Sequence, residues 1–323
     1  MIKMAILGAG GIAHKMAATI TNMDQVEAYA VAARDLERAQ AFADQYGFTK
    51  AYGSYEEMLA DEAVDLVYIA VPHSHHYKMT KMSLEAGKHV LCEKAFTVTA
   101  DQAREILSLA KSKGLLLTEA IWTRYMPSRQ IINDIIARGE IGEVTSLTAN
   151  LGYELNAVKR IWDPNLAGGA LLDVGVYLIN FARMVFGDKM TDITASAVFR
   201  DGVDMIDSIT MTFEGGKMAT MQSNVAAAQN RTGCIFGTKG YIEITNINNP
   251  EAIKVYSPEY QEIADYPIPP QITGYEYEVE ACVHAIEHGE LECPQMPHEE
   301  TIKVMEIMDG IRKTWNYEIP LLG

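Results

Sequence analysis

The sequence predicts an α/β chain of two domains: residues 1–120 form a doubly wound parallel sheet, and residues 121–323 an α+β domain built on a large, mostly antiparallel open sheet. Three observations carry this. Up to about residue 118, short apolar runs alternate with amphipathic helical stretches, the pattern that parallel strands with crossover helices require. A glycine-rich turn closes the first apolar run. From Val144 onward, β-rich segments are joined by glycine-containing turns, as in antiparallel hairpins.

In chain order, Met4–Leu7, Ala28–Ala33, Leu66–Val71, His89–Cys92 and Leu115–Thr118 read as strands of the first sheet. Between them, Ser54-Tyr55-Glu56-Glu57 and Thr99-Ala100-Asp101-Gln102 match capping boxes, in which a hydroxyl satisfies a first-turn amide. In the second half, Val144–Leu151, Ile193–Phe199, Ser208–Phe213, Lys217–Ser223 and Tyr241–Thr245 read as strands, with turns at Glu214–Lys217 and Gly237–Gly240. Helical stretches at Tyr275–Glu287 and His298–Trp315 close the chain.

The composition is that of an ordinary folded protein, with 48% hydrophobic and 22% charged residues. With 27 basic against 43 acidic residues the formal charge is −16, which disfavours nucleic acid and anionic membranes as partners. The four cysteines are widely spaced and include no C-x-x-C pair, so neither a zinc ribbon nor a disulfide framework is expected. The opening run Met1–Gly8 is too short for a signal core, and no segment reaches the ~20 uninterrupted apolar residues of a membrane helix. A cytoplasmic location is the expectation.

Gly8-Ala9-Gly10-Gly11-Ile12-Ala13 is G-x-G-x-x-A placed directly after a strand and before a helix. Gly8 permits the tight turn, Gly10 lets backbone approach a pyrophosphate, and Ala13 lets helix and strand pack closely, while Gly11 and Ile12 open the helix that presents free amides. This is the Rossmann fingerprint. At the end of the second strand Ala33 stands where an acid would bind the ribose hydroxyl of NAD, and Arg34 and Arg38 follow four residues apart. NADP is therefore favoured, with NAD as the alternative. In the competing reading Asp35 caps the next helix and both arginines are solvated charges.

Gly87–Ala95, which contains Glu93-Lys94, resembles the E-K-P segment of the glucose–fructose oxidoreductase/inositol dehydrogenase (Gfo/Idh/MocA) family. Glu119–Pro127 and Gly168–Tyr177 resemble its branch of dimeric dihydrodiol and NADP-dependent xylose dehydrogenases, and the resemblance covers nearly the whole chain. Two positions depart from the wider family: Tyr177 replaces a histidine, as in that branch, and Ala95 replaces the proline after Glu93-Lys94. The resemblance implies Tyr177 as acid/base, Lys94 as its cationic partner and Asp173 as orienter of substrate hydroxyls. It also places Glu93 and His76 beside the cofactor. A phenol titrating near ~10 is a poor base at neutral pH, and a nearby ammonium lowers it.

Trp122 and Arg124, with Arg160 and Trp162, are candidate substrate contacts, the indoles offering stacking faces; packing explains them equally well. No metal is expected, since His73, His75 and His76 lack a matching acid cluster and His284 and His288 fit a solvated helix face. The expected activity is hydride transfer at a secondary or anomeric hydroxyl of a sugar, polyol or trans-dihydrodiol. An inositol or amino-sugar dehydrogenase and a non-catalytic NADP-binding regulator are the alternatives. The resemblance further implies a homodimer paired through the second-domain sheets, with an apolar interface face drawn from Ile209–Phe213 and Met218–Met221.

Overall fold

The computed structural model describes residues 1–321. The chain divides into two compact units, one formed by Met1–Tyr125 with Gln271–Glu306 and the other by Met126–Pro270 with Ile307–Pro320. The sequence reading placed everything after residue 120 in the second domain, whereas Gln271–Glu306 returns to the first unit. The cause is an open sheet edge. Leu117 on the edge strand donates its amide to the Leu291 carbonyl (3.2 Å), and the His298 ring lies 2.8 Å from the Leu117 carbonyl. Covering an edge in this way satisfies its backbone groups and blocks further strand addition.

The first unit is a six-stranded parallel sheet in the order β3-β2-β1-β4-β5-β6. The strands are β1 (Ile2–Leu7), β2 (Val26–Ala32), β3 (Lys50–Tyr52), β4 (Leu66–Ile69), β5 (His89–Glu93) and β6 (Leu117–Ala120). Helices α1 (Gly11–Ile20), α2 (Leu36–Tyr46), α3 (Tyr55–Leu59), α4 (His73–Glu85) and α5 (Ala100–Lys113) connect them. Every residue of β4 is buried, as expected where helices cover both faces, and each such apolar side chain contributes about 1.5–3 kcal/mol. The hydroxyl cap of each predicted capping box forms, Ser54 accepting the Glu57 amide at 3.2 Å and Thr99 the Gln102 amide at 3.3 Å, while the Gln102 side chain accepts the Val98 amide at 3.1 Å. The order reverses between β1 and β4, the switch point at which open α/β sheets bind nucleotides.

The second unit is an eight-stranded sheet, β14-β13-β12-β11-β7-β10-β9-β8, antiparallel except where β10 (Lys217–Asn224) runs parallel to β7 (Val144–Gly152). Its other strands are β8 (Met190–Arg200), β9 (Val203–Phe213), β11 (Gly233–Gly237), β12 (Gly240–Thr245), β13 (Ala252–Tyr256) and β14 (Glu262–Tyr266). Helices α6 (Pro127–Ala137) and α7 (Val176–Phe186) belong to this unit, α8 (Glu276–His288) to the first, and α9 (His298–Thr314) crosses the division. Ile209, Met211, Phe213, Ala219 and Met221 are buried, while Thr148, Ser208, Met218, Thr220 and Gln222 are exposed. The alternation read as an apolar interface thus supplies the core face, and the open face is mostly hydroxyl and amide. The run Pro164–Phe186 is long and apolar enough to cross a membrane by length and composition, although Asp173 and Arg183 interrupt it, and most of it is buried, as in a core helix.

Candidate active site

The glycine-rich loop is shaped by contacts as well as by sequence. Gly8 has φ +109° and a Cβ there would lie 2.5 Å from the Ala70 carbonyl oxygen, so both conformation and space require glycine. Gly10 is the extended N-cap of α1, Gly11 and Ile12 open the helix, and Ala13 is fully buried against the sheet. Helix α1 has no side-chain cap and no acid in its first turn, which leaves its amides for an anion. These features fit a dinucleotide pyrophosphate.

At the end of β2, Asp35 caps α2 by accepting the Glu37 amide at 2.8 Å and the Arg38 amide at 3.4 Å. Arg34 precedes the cap, so its relation to Arg38 is not that of two residues on one helix turn. Arg38 nevertheless reaches back to donate to the Ala9 carbonyl at 2.5 Å. Both guanidinium charges act on the half-buried Tyr55 phenol, whose pKa burial raises and the arginines lower. The two cations and Tyr55 therefore share one neighbourhood beside the glycine loop. Tyr55 was unmarked by the sequence reading because it lay inside a capping box.

Lys94 follows the carboxyl end of β5 in a turn whose backbone is tied at every residue. The Lys94–Ala95 peptide is cis, in the place of the family's Lys-Pro bond. The Lys94 amide donates to Glu93 Oε2 at 3.1 Å, the Ala95 carbonyl faces His76 Nδ1 at 2.8 Å, and the Phe96 amide donates to Glu119 Oε1 at 3.1 Å. His76, 1% exposed, also faces the Val71 carbonyl through Nε2 at 2.9 Å. Its ring clamps α4 to the lysine turn. Glu93 is buried and also accepts the Tyr68 hydroxyl. Burial pushes the Glu119 carboxyl up to about 7, with the Phe96 amide and the Arg124 charge opposing the rise. Burial drives Glu278 on α8 well above the ordinary carboxylate range, and the charge of Glu93 adds to it.

In the second unit, Gly168–Tyr177 builds a helix start. A π-helical turn, Leu171–Gly175, carries Asp173, and α7 carries Tyr177 in its first turn; such wide turns recur at functional sites. Both side chains are buried, Asp173 at 4% and Tyr177 at 8% exposure. Arg160 Nη1 donates to Asp173 Oδ1 at 3.0 Å, so two residues proposed for substrate are brought together as an ion pair. Trp162 donates to the Leu155 carbonyl at 3.0 Å and Arg200 lies 3.8 Å over its ring, which occupies one stacking face. In the first unit Trp122 stacks on Tyr275 at 4.1 Å and Arg124 pairs with Glu300. Among the described residues, no group of three or more His, Cys, Asp and Glu side chains is arranged to hold a metal ion.

A Rossmann sheet with an anion-ready glycine loop, joined in sequence to an α+β unit with a buried carboxylate and phenol on one helix start, defines a nicotinamide-dinucleotide oxidoreductase. The model of the oxidoreductase family with an NAD-binding Rossmann fold matches residues 2–121, and that of the GFO/IDH/MocA C-terminal domain matches residues 130–243. The chain belongs to the GFO/IDH/MocA oxidoreductase family. It is 33% identical over 333 residues to the trans-1,2-dihydrobenzene-1,2-diol dehydrogenase of Mus musculus, covering 99% of this chain and 98% of that protein. The Danio rerio enzyme of the same name is 34% identical, with 97% and 96% covered. Among solved structures, a 3-ketoreductase from Actinomadura kijaniata in complex with NADP and TDP-benzene aligns with TM-score 0.89 at 23% identity, covering 97% of each chain. The aldose-aldose oxidoreductase of Caulobacter crescentus aligns with TM-score 0.88 at 21% identity, covering 98% of this chain and 97% of that one.

Proposed function

We propose that this chain transfers a hydride between NADP(H) and a secondary or anomeric hydroxyl of a sugar, polyol or trans-dihydrodiol. The observation that carries the reading is the association, in one chain, of the Gly8 cradle flanked by Arg34 and Arg38 with the buried Asp173 and Tyr177. Near full-length similarity to dihydrodiol dehydrogenases supports the substrate class. When bound, the nicotinamide supplies or accepts the hydride. Arg34 and Arg38 take the 2′-phosphate that distinguishes NADP from NAD. The Tyr177 phenol exchanges the hydroxyl proton, the family resemblance gives Lys94 the part of the cation that favours phenolate, and Asp173, held by Arg160, orients a neighbouring hydroxyl. The test is nicotinamide absorbance with alcohols, sugars and dihydrodiols in the presence of NADP or NAD. Turnover with NADP preferred supports the reading; turnover that favours NAD, or cofactor binding without turnover on any of them, overturns it.

The same reading includes a homodimer formed through the open face of the eight-stranded sheet. Its support is an uncovered face on which Met218 is 44% exposed and Tyr241 stacks on Tyr256 at 4.9 Å, flanked by β-strand threonines. Sedimentation equilibrium that returns only the 35.7 kDa monomer at micromolar concentration contradicts it.

A further inference from the structure

Two aspartates are buried on β9, and one of them, Asp204, is bonded to the start of the helix that carries Asp173 and Tyr177. Strand periodicity would set Asp204 and Asp207, three residues apart, on opposite faces. A bulge prevents this. Phe199 of β8 pairs with Asp204 and Val198 with Ile206, so Met205 is the extra residue and both aspartates turn to the same side. Asp204 is 2% exposed and Asp207 0%.

Asp204 Oδ2 accepts the Leu171 amide at 2.6 Å, and its carboxylate also takes the Ala170 amide. These are first-turn donors of the helix, and a carboxylate placed there both satisfies them and complements the helix dipole. The approach is close: Gly169 has φ +108°, and a Cβ on it would fall 2.2 Å from Asp204 Oδ1. Asp207 Oδ2 accepts the Ser223 hydroxyl at 2.8 Å, and its Oδ1 is buried without a hydrogen-bond partner. Two carboxyl groups buried on the same side of one strand repel when both are ionised, which favours a proton on one of them.

We propose that Asp204 is a positioning residue for the reaction, acting as the ionised cap that sets the helix presenting Asp173 and Tyr177, and that Asp207 is its protonated partner. This rests on the reading of Tyr177 as the acid/base. Burial and the charge of Asp204 raise Asp207 well above the ordinary carboxylate range, and Asp204 is raised by burial while its backbone donors oppose the rise. The other titratable groups bearing on the pair are Tyr317, pushed up to about 12 by burial and the Asp204 charge, and Arg312, which is paired with Asp309.

The roles are asymmetric, and so is the test. In Asp207→Asn a neutral amide stands in for the neutral carboxyl, and turnover stays within about twofold of wild type. In Asp204→Asn the charged cap is lost; kcat falls by about tenfold or more while NADP(H) affinity is unchanged. Equal losses in the two variants, or full kcat in Asp204→Asn, overturn the assignment. A second measurement needs neither substrate nor the Asp204 variant. Because the native state keeps a proton on Asp207 that the unfolded chain releases, wild-type stability falls as pH rises above the ordinary aspartate pKa, and Asp207→Asn escapes that fall. Denaturant unfolding at pH 5 and pH 8 should show the variant gaining on wild type; parallel pH dependence contradicts the proton on Asp207. Failure of the Tyr177 reading shows separately, as full turnover in Tyr177→Phe.

Discussion

The Lys94 turn of the first unit and the Asp173–Tyr177 helix start of the second solve the same problem in different ways. Each must hold a polar side chain in place, and each does so by engaging backbone groups around it. The lysine turn is clamped by three groups of its own unit, Glu93 at the end of β5, His76 on α4 and Glu119 on β6. The tyrosine helix is capped by one carboxylate from a distant strand, Asp204. Distributed bonds tolerate the neutralisation of one member, because the remaining bonds persist. A single charged cap does not. The difference locates sensitivity to charge at Asp204 and sensitivity to pH at the buried carboxyl groups.

The largest effect expected on the lysine side concerns Glu119. Its folded-state pKa of about 7 lies above the 4.5 of a free glutamate, so the native state retains a proton that the unfolded chain gives up. Stability attributable to this group therefore falls as pH rises from about 4.5 to about 7 and is level above, a total of about 3 kcal/mol. Glu119→Gln keeps an acceptor for the Phe96 amide and cannot titrate. Urea unfolding at pH 5 and pH 8 should show the variant gaining about 2–3 kcal/mol on wild type. Equal pH dependence in both would remove Glu119 from the comparison.

A smaller effect sharpens the cofactor side. On the proposed reading of Arg34 as a phosphate contact, Arg34→Ala should weaken NADP about ten- to a hundredfold, with NAD nearly unaffected. Equal losses for the two cofactors would mean that the arginine shapes the loop instead of reading the phosphate.

The first sheet was legible because its strands are continuous apolar runs and its glycine loop has only one structural use in that position. Gly8, Ala13 and the caps Ser54 and Thr99 all lie where the pattern placed them. The short strands β3, β11, β13 and β14 were not found, since three to five residues of mixed polarity carry too little periodicity. The return of Gln271–Glu306 to the first unit depends on edge bonds such as Leu117 to Leu291, which leave no local mark. Asp204 and Asp207 were missed for a specific reason: the Met205 bulge breaks the alternation by which buried strand positions are recognised. Trp122 and Trp162 were singled out as stacking residues, and their own partners, Tyr275 and Arg200, became visible only in the fold.

The central claim is that Tyr177 moves the proton in a hydride-transfer reaction, and steady-state kinetics of Tyr177→Phe with a substrate turned over well by wild type test it most directly. Removing the hydroxyl should leave NADPH affinity intact and lower kcat by about 10²–10⁴, and adding Lys94→Met should cost little more, as for groups acting as one unit. Near wild-type turnover in Tyr177→Phe would contradict the account and pass the acid/base role to Asp173.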